Sequence, residues 1–363
     1  MTIIRTGPGA SPGDVVLGPG DVLEITGPLS GQVLVRAHGT ASSPAVIRPA
    51  AGRATLRGEG NVLVLLDPRH VEVRDLDVTG TDAGDGVLVW SETAGATGVR
   101  LSGLAVRGAR NGIAVGSDVP GGLGNVEVAQ CRVEDCLLQG ILVFGPEAPR
   151  YGLRDVRVTR CLVEGTRGDP TLTDRHSGSG IVLGSVRGGE VADCRVSGNG
   201  AGCRASEGPE GIFLHDCGGV ALRRCVAVEN RTGGPADGGG LGIDLRCSDC
   251  VIEDCTATGN DGAGILLWNL PGLISGRATV RNNRLADNCR RTTWHGEITV
   301  APSVRAVELT GNRLEPRPGG VGIVLGFNGG ELLEVDNPVG EQASARLKVI
   351  PMHAHAATTG KGP

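Results

Sequence analysis

Aromatic residues are scarce in this chain, at 2% of 363 residues, with a single Tyr. A wide globular core normally draws on Phe, Tyr and Trp, which bury the largest areas, so such a core is excluded. Long apolar runs are also missing. No stretch approaches the roughly eighteen residues a membrane-spanning helix needs, and no membrane partner is expected. Basic charge is not in excess: the formal net charge is −5, and no basic stripe is present to neutralise phosphates, so nucleic-acid binding is not expected. The opening Met1–Pro8 lacks a basic start followed by an apolar segment. The expectation is a cytoplasmic protein, or a secreted one if a leader has been removed.

What the chain has instead is glycine, 62 residues of it, and repetition. A Gly-headed apolar strand returns as Gly86-Val87-Leu88-Val89, Gly112-Ile113-Ala114-Val115, Gly140-Ile141-Leu142-Val143, Gly180-Ile181-Val182-Leu183, Gly211-Ile212-Phe213-Leu214, Gly242-Ile243-Asp244-Leu245, Gly264-Ile265-Leu266-Leu267 and Gly322-Ile323-Val324-Leu325, with Glu297-Ile298-Thr299-Val300 a copy without its Gly. Between copies runs a second apolar strand, such as Val71–Val78, Val99–Val106, Val126–Val133 and Val251–Ala257. A period of about 22–40 residues marks a stacked repeat architecture. A narrow solenoid can be filled by Val, Ile, Leu and Cys, while Gly supplies the sharp corners.

The repeat predicts an all-β parallel solenoid of two or three strands per turn, about nine to eleven coils. Residues 1–60 read as an N-terminal cap and first coils, 61–327 as regular coils, and 328–363 as a C-terminal cap and flexible tail in which Leu347–Ile350 adds a strand. His353 and His355 read as tail residues without a role. Cys131, Cys161, Cys194, Cys225 and Cys255 recur at one place in successive coils. Stacked coils about 4.8 Å apart would permit bridges, but a column of reduced, buried thiols is the preferred reading. Cys247-Ser248-Asp249-Cys250 has no partner pair, so structural zinc is not expected there.

The alternation of G-I-x-V with V-x-I-x-x-C/N-x-V, as in Val251-Ile252-Glu253-Asp254-Cys255-Thr256-Ala257-Thr258-Gly259-Asn260, resembles the right-handed parallel β-helix of the pectate-lyase-like superfamily. The segment His38-Gly39-Thr40-Ala41-Ser42-Ser43-Pro44-Ala45-Val46-Ile47-Arg48 resembles the first coil of polysaccharide lyases and glycosidases of that group. The resemblance implies a carbohydrate-active enzyme. It specifies fold more sharply than reaction, because one fold hosts many chemistries.

Loop length locates the site. The connection into the Gly-headed strand swells at Glu164–Ser179, Gly198–Glu210, Glu229–Leu241 and Ala286–Gly296, all on one edge, and site residues tend to ride on loops held by a rigid scaffold. With Ile, Val and Leu inward, the third and fifth residues of each Gly-headed strand face out. That makes the outer surface apolar: a groove, a sheet simply covered by the long loops or the C-terminal segment, or an oligomer contact. Into it fall Asp244, His215 and Arg246, with His215, Arg246 and Trp268 expected side by side. The catalytic candidates are Asp244, His215, Arg246, Glu210 and Asp237; the substrate-binding candidates are Trp268, Phe213, Arg175, His176, Trp294, His295 and Glu297. An acid, a His and an Arg in an apolar groove would shift one another's protonation. The bland readings are a surface ion pair for Asp244 with Arg246, a loop-pinning His215 and a merely polar Asp174-Arg175-His176 loop.

A glycoside hydrolase needs two carboxyls, for which Asp244 with Glu210 or Asp237 qualify. A lyase or C5-epimerase needs a base beside a cation, for which His215 or Arg246 qualify. The chain lacks the Asn-Thr-Asp, Asp-Asp and Gly-His-Gly motifs of polygalacturonases and the acidic calcium cluster of pectate lyases. No cofactor is expected, save a divalent cation such as calcium if the protein is a lyase. Hydrolysis is favoured narrowly. The alternatives are an isomerase or cyclase for a small, partly apolar molecule, and a non-catalytic carbohydrate-binding solenoid.

Overall fold

The computed structural model describes residues 1–8, 13–269, 276–292, 294–302, 304–326 and 331–350. The tail histidines 353 and 355 lie outside them. Among the described residues every regular element is a β-strand, and the pairings between named strands are parallel. The chain divides into two compact units, Met1–Thr166 with Ile181–Cys194, and Arg167–Gly180 with Arg195–Pro363.

Each unit is a stack of parallel coils, and each regular coil carries three strands. In the first unit one coil runs Asn111–Ser117, Leu123–Ala129 and Arg132–Glu134. Its strands pair in register with those of the next coil, Ile113 with Ile141, Val126 with Val156 and Val133 with Val163. In the second unit Cys250–Glu253 pairs with Arg277–Arg281, and Thr256–Thr258 with Arg284–Ala286. The inward Val, Ile and Leu of the rungs are buried and, with inward Cys and Ala, make up the core. Coils are present before residue 60, since Val22–Ile25 already pairs with Val46–Pro49. They also continue past 328, where Glu331–Val335 and Ala345–Ile350 pair with Ala306–Thr310 and Val321–Gly326.

The run read from sequence as one second strand is two strands separated by a corner. The corner residue is left-handed in coil after coil: Asp75 (φ 59°), Gly103 (62°), Gln130 (56°) and Arg160 (52°) in the first unit, Arg224 (50°), Asp254 (55°) and Asn282 (57°) in the second. Few of these are Gly, so the sequence does not announce the break. The next residue always points inward. In the first unit it is Leu76, Leu104, Cys131, Cys161 and Cys194; in the second, Cys225, Cys255, Asn283 and Asn312. The column is more than filler. The backbone N–H of Cys161 reaches Cys194 Sγ (3.4 Å), that of Cys225 reaches Cys255 Sγ (3.3 Å), and that of Cys255 donates to Asn283 Oδ1 (2.9 Å). Asn283 then donates to Asn312, and Asn312 to Asn337. All eleven cysteines are free thiols and buried.

A second amide ladder runs inside the corner that leads to the long loops. Asn199 Nδ2 donates to Asn230 Oδ1, Asn230 to Asn260 and Asn260 to Asn288, at 2.7–2.9 Å. It ends on Glu297, whose carboxylate accepts from Asn288 N (3.1 Å) and Nδ2 (2.5 Å). Buried amides in a stack satisfy one another, so they add specificity without orphaned polar groups. On the second face the outward charges alternate. Arg100 lies 3.7 Å from Glu127, and Glu253 is buried between Arg223 and Arg281 rather than solvated.

Candidate functional site

All twelve candidate residues lie in the second unit. Its long loops lie on one another in layers. Gly202 N donates to Arg167 O (2.6 Å), Arg231 N to Asn199 O (2.6 Å), Gly208 N to Asp237 Oδ2 (2.8 Å) and Arg291 Nη2 to Gly233 O (3.3 Å). They cover the outward face of the Gly-headed strands: Phe213, Leu266 and Thr299 are buried although they point away from the core. In this unit that face is therefore covered rather than exposed, the loop-covered reading among those the sequence leaves open.

The register differs from the expected one by two residues. Strand Glu210–Arg223 pairs with Gly239–Ile243 so that Ile212 faces Leu241, Phe213 faces Gly242 and Leu214 faces Ile243. The Gly head of this coil is Gly240, not Gly242. A slip of two keeps each residue on its side of the sheet, since side chains alternate with period two. Asp244 therefore still faces out, but it follows Ile243 directly beside His215, not beside Phe213. Trp268 comes next, its N–H donating to Ile243 O (2.9 Å). Arg246 falls in the turn beyond, with φ 55°. His215 and Trp268 thus flank Asp244, and the expected row of His215, Arg246 and Trp268 does not form.

Around Asp244 the structure gathers carboxyls. Glu210 opens its strand and is 6% exposed, and its Oε2 has no hydrogen-bond partner among the described residues. The carboxyl lies over bare backbone: a Cβ at Gly242 would stand 1.9 Å from Oε2. Burial, and then the charges of Asp237 and Asp244, hold Glu210 well above the ordinary carboxylate range. Asp237, left-handed at φ 53°, accepts from Gly208 N and is pushed up to about 6, by burial first and by Glu207. Asp244 is raised to about 7 by burial, against the opposing effects of the Leu245 N–H at 2.7 Å and of His215.

Histidines and one Phe ring border the acids. The His176 ring meets Phe213 edge-on, centroids 5.0 Å apart, and His215 lies 5.9 Å from Phe213 on its own strand. Burial, then His215 and Arg175, lower His176 to about 4, so it is neutral at pH 7. Arg175 is exposed beside it. His215 Nδ1 stands 3.0 Å from Asp216 Oδ2, and Arg246 clamps the same carboxylate through Nε (2.5 Å) and Nη2 (2.9 Å).

Two of the expected binding residues lie inside the wall. Glu297 is 1% exposed at the end of the amide ladder and is raised to about 7 by burial. His295, 2% exposed, accepts from Ala263 N at Nδ1. Both are hydrogen-bonded into the scaffold. Trp294 packs edge-on against His295, centroids 3.6 Å apart. Sequence reasoning missed Asp216 and Glu207. Asp216 has inward parity, and only its left-handed conformation (φ 53°) frees its carboxylate to meet His215 and Arg246. The adjacent His215-Asp216 pair was the available signal. Among the described residues no group of three or more His, Cys, Asp or Glu is placed to hold a metal ion.

Coils of three parallel strands in right-handed succession define a class, and the family model for the right-handed β-helix region matches residues 85–332, more than half of the chain. The chain belongs to that family. Among solved structures it is similar to the A-module of a mannuronan C-5 epimerase from Azotobacter vinelandii, at 13% identity and a TM-score of 0.53, covering 88% of this chain and 89% of that one. It is also similar to a lacto-N-biosidase of glycoside hydrolase family 136 from Eubacterium ramulus, at 14% identity and a TM-score of 0.57 over 92% of this chain and 62% of that one. A periplasmic alginate epimerase aligns at 12% identity with a TM-score of 0.50, over 84% of this chain and 77% of that one. At these identities the likeness concerns the fold. No curated protein sequence matches the chain.

Proposed function

We propose that the protein is a glycoside hydrolase acting on an uncharged glycan, with Glu210 as proton donor and Asp244 as the second carboxyl. The observation that carries this reading is the gathering of Glu210, Asp237 and Asp244 in one place, each held above its ordinary protonation range. Hydrolysis of a glycosidic bond needs one carboxyl that keeps its proton near neutral pH and a second that gives its proton up. Glu210, the more deeply buried, is suited to protonate the departing oxygen. Asp244, at about 7, ionises within the working range and either activates water or attacks the sugar carbon. The related folds that act on glycans support the substrate class.

The same cluster argues against a lyase or C5-epimerase. Those reactions build negative charge next to a substrate carboxylate and need a cation there. Arg246 is committed to Asp216, and a uronate would enter among Glu210, Asp237 and Asp244, with the exposed Arg175 as one cation against three carboxyls. The test is a panel of neutral and uronate oligosaccharides, read for new reducing ends and for the ultraviolet absorbance of unsaturated uronates. Reducing ends from neutral glycans, lost by at least about a hundredfold in Glu210→Gln and in Asp244→Asn, are expected. Absorbance from a uronate, or turnover that survives both substitutions, overturns the reading.

A further inference from the structure

The carboxylate of Asp216 is used twice at one spot. Oδ2 lies 3.0 Å from His215 Nδ1, while Arg246 binds Oδ1 through Nε at 2.5 Å and Oδ2 through Nη2 at 2.9 Å. Asp216 is 3% exposed, whereas the His215 side chain keeps 29% of its surface. So the imidazole reaches outward while its anchor is buried. The anchor is held from both directions along the chain: Asp216 N donates to Leu245 O (2.7 Å), and the two positive-φ corners, at Asp216 and Arg246, bring their side chains together across neighbouring coils.

An ionised Asp216 is an acceptor only, so the atom it holds on His215 must carry a proton. No protein hydrogen bond is seen at His215 Nε2 among the described residues. The ring stands between Phe213 and the register position of Asp244. We infer that Asp216 is a positioning residue, which fixes His215 with Nδ1–H turned into the protein and Nε2 offered as an acceptor to a sugar hydroxyl beside Asp244. Arg246 neutralises the Asp216 charge, so the anchor adds no net negative charge to a site already rich in carboxyls. In this arrangement Arg246 touches no substrate; it holds the residue that holds the histidine. A ring fixed in this way selects a hydroxyl at one distance from the scissile bond, which makes His215 a specificity residue. The inference rests on the reading of the site as a glycan site and deepens it.

Nitrogen NMR of the His215 ring, assigned with His215→Gln, tests the tautomer in the unaltered protein at pH 7. A protonated Nδ1 with a bare Nε2 is expected; a bare Nδ1, or a proton on both nitrogens, overturns the inference. In Asp216→Asn the ring is expected to lose its single tautomer. Turnover on the neutral glycan that wild type cleaves is expected to fall about a hundredfold, with KM changed only a few-fold, and Asp216→Glu is expected to recover part of it. Should Asp216→Asn fold poorly because the half-buried Arg246 loses its carboxylate, the pair Asp216→Asn with Arg246→Met removes that charge, and the same ring signal is read there. An unchanged tautomer, or a kcat within about threefold of wild type in a folded variant, overturns the inference. If wild type cleaves no glycan, the hydrolase reading fails, while the ring measurement still decides the role of Asp216.

Discussion

Asp244 is a residue whose surroundings cost the fold stability. Its carboxyl moves from an ordinary 3.8 to about 7, with burial as the largest cause. Below about pH 4 the group is protonated in both the folded and the unfolded chain, and its burial carries no charge penalty. Between about 4 and 7 the unfolded chain ionises and the folded one does not, so stability declines; above about 7 both are ionised and the whole penalty stands. Asp244→Asn keeps the shape and removes the charge. Its thermal midpoint is therefore expected to rise relative to wild type as pH increases from 4 to 8, as read by circular dichroism melts at several pH values. A pH-independent difference would contradict the assignment. Gly242 is the second residue of consequence. With Ala there, a methyl group would occupy the place of Glu210 Oε2. Gly242→Ala is expected to displace the acid and depress kcat at least tenfold, while the melting curve moves by only a few degrees, since a flexible carboxyl can yield where backbone cannot.

At the level of the element, the amide ladder matters more than any one strand. Asn260 accepts from Asn230 N and Nδ2 and donates to Ala227 O and Asn288 Oδ1. Asn260→Leu fills the volume but orphans several buried partners, and urea unfolding is expected to show a loss of about 3 kcal/mol. A change below about 0.5 kcal/mol would mean that the ladder is not holding the corner. This element was only partly legible in the sequence. The neighbouring Cys column stood out because it recurs, whereas Asn199, Asn230, Asn260 and Asn288 were not singled out. That Asn283 continues the Cys column was also hidden, because a thiol and an amide look unlike until both are seen accepting a backbone N–H from the previous coil. The corner before them was hidden for a related reason: Gln130, Arg160 and Arg224 take a left-handed conformation that composition reserves for Gly and Asn.

For the molecule as a whole, period and apolar alternation were enough to read the stacked parallel coils, because each rung must bury its Ile, Val and Leu whatever the loops do. The site was read less completely. Glu210, His215, Asp237 and Asp244 do come together. Arg246 was misplaced, because parity along a strand says nothing once the chain enters a corner; His295 and Glu297, offered as binding residues, are instead buried in the wall, His295 at 2% and Glu297 at 1% exposure. The eleven thiols also belong to this scale. All are buried, so a thiol reagent is expected to modify none of them in the native protein and all eleven in denaturant. Rapid labelling of even one native thiol would show that a coil opens easily. The amide ladder carries a consequence for chemical ageing. Asn199 precedes Gly200, the pairing in which a backbone nitrogen most readily attacks the side-chain amide and converts it to an acid. With its Nδ2 bound to Asn230 at 2.9 Å and its side chain packed away from solvent, Asn199 is denied the rotation that ring closure requires. The stack that shapes the corner thus also protects it from slow deamidation.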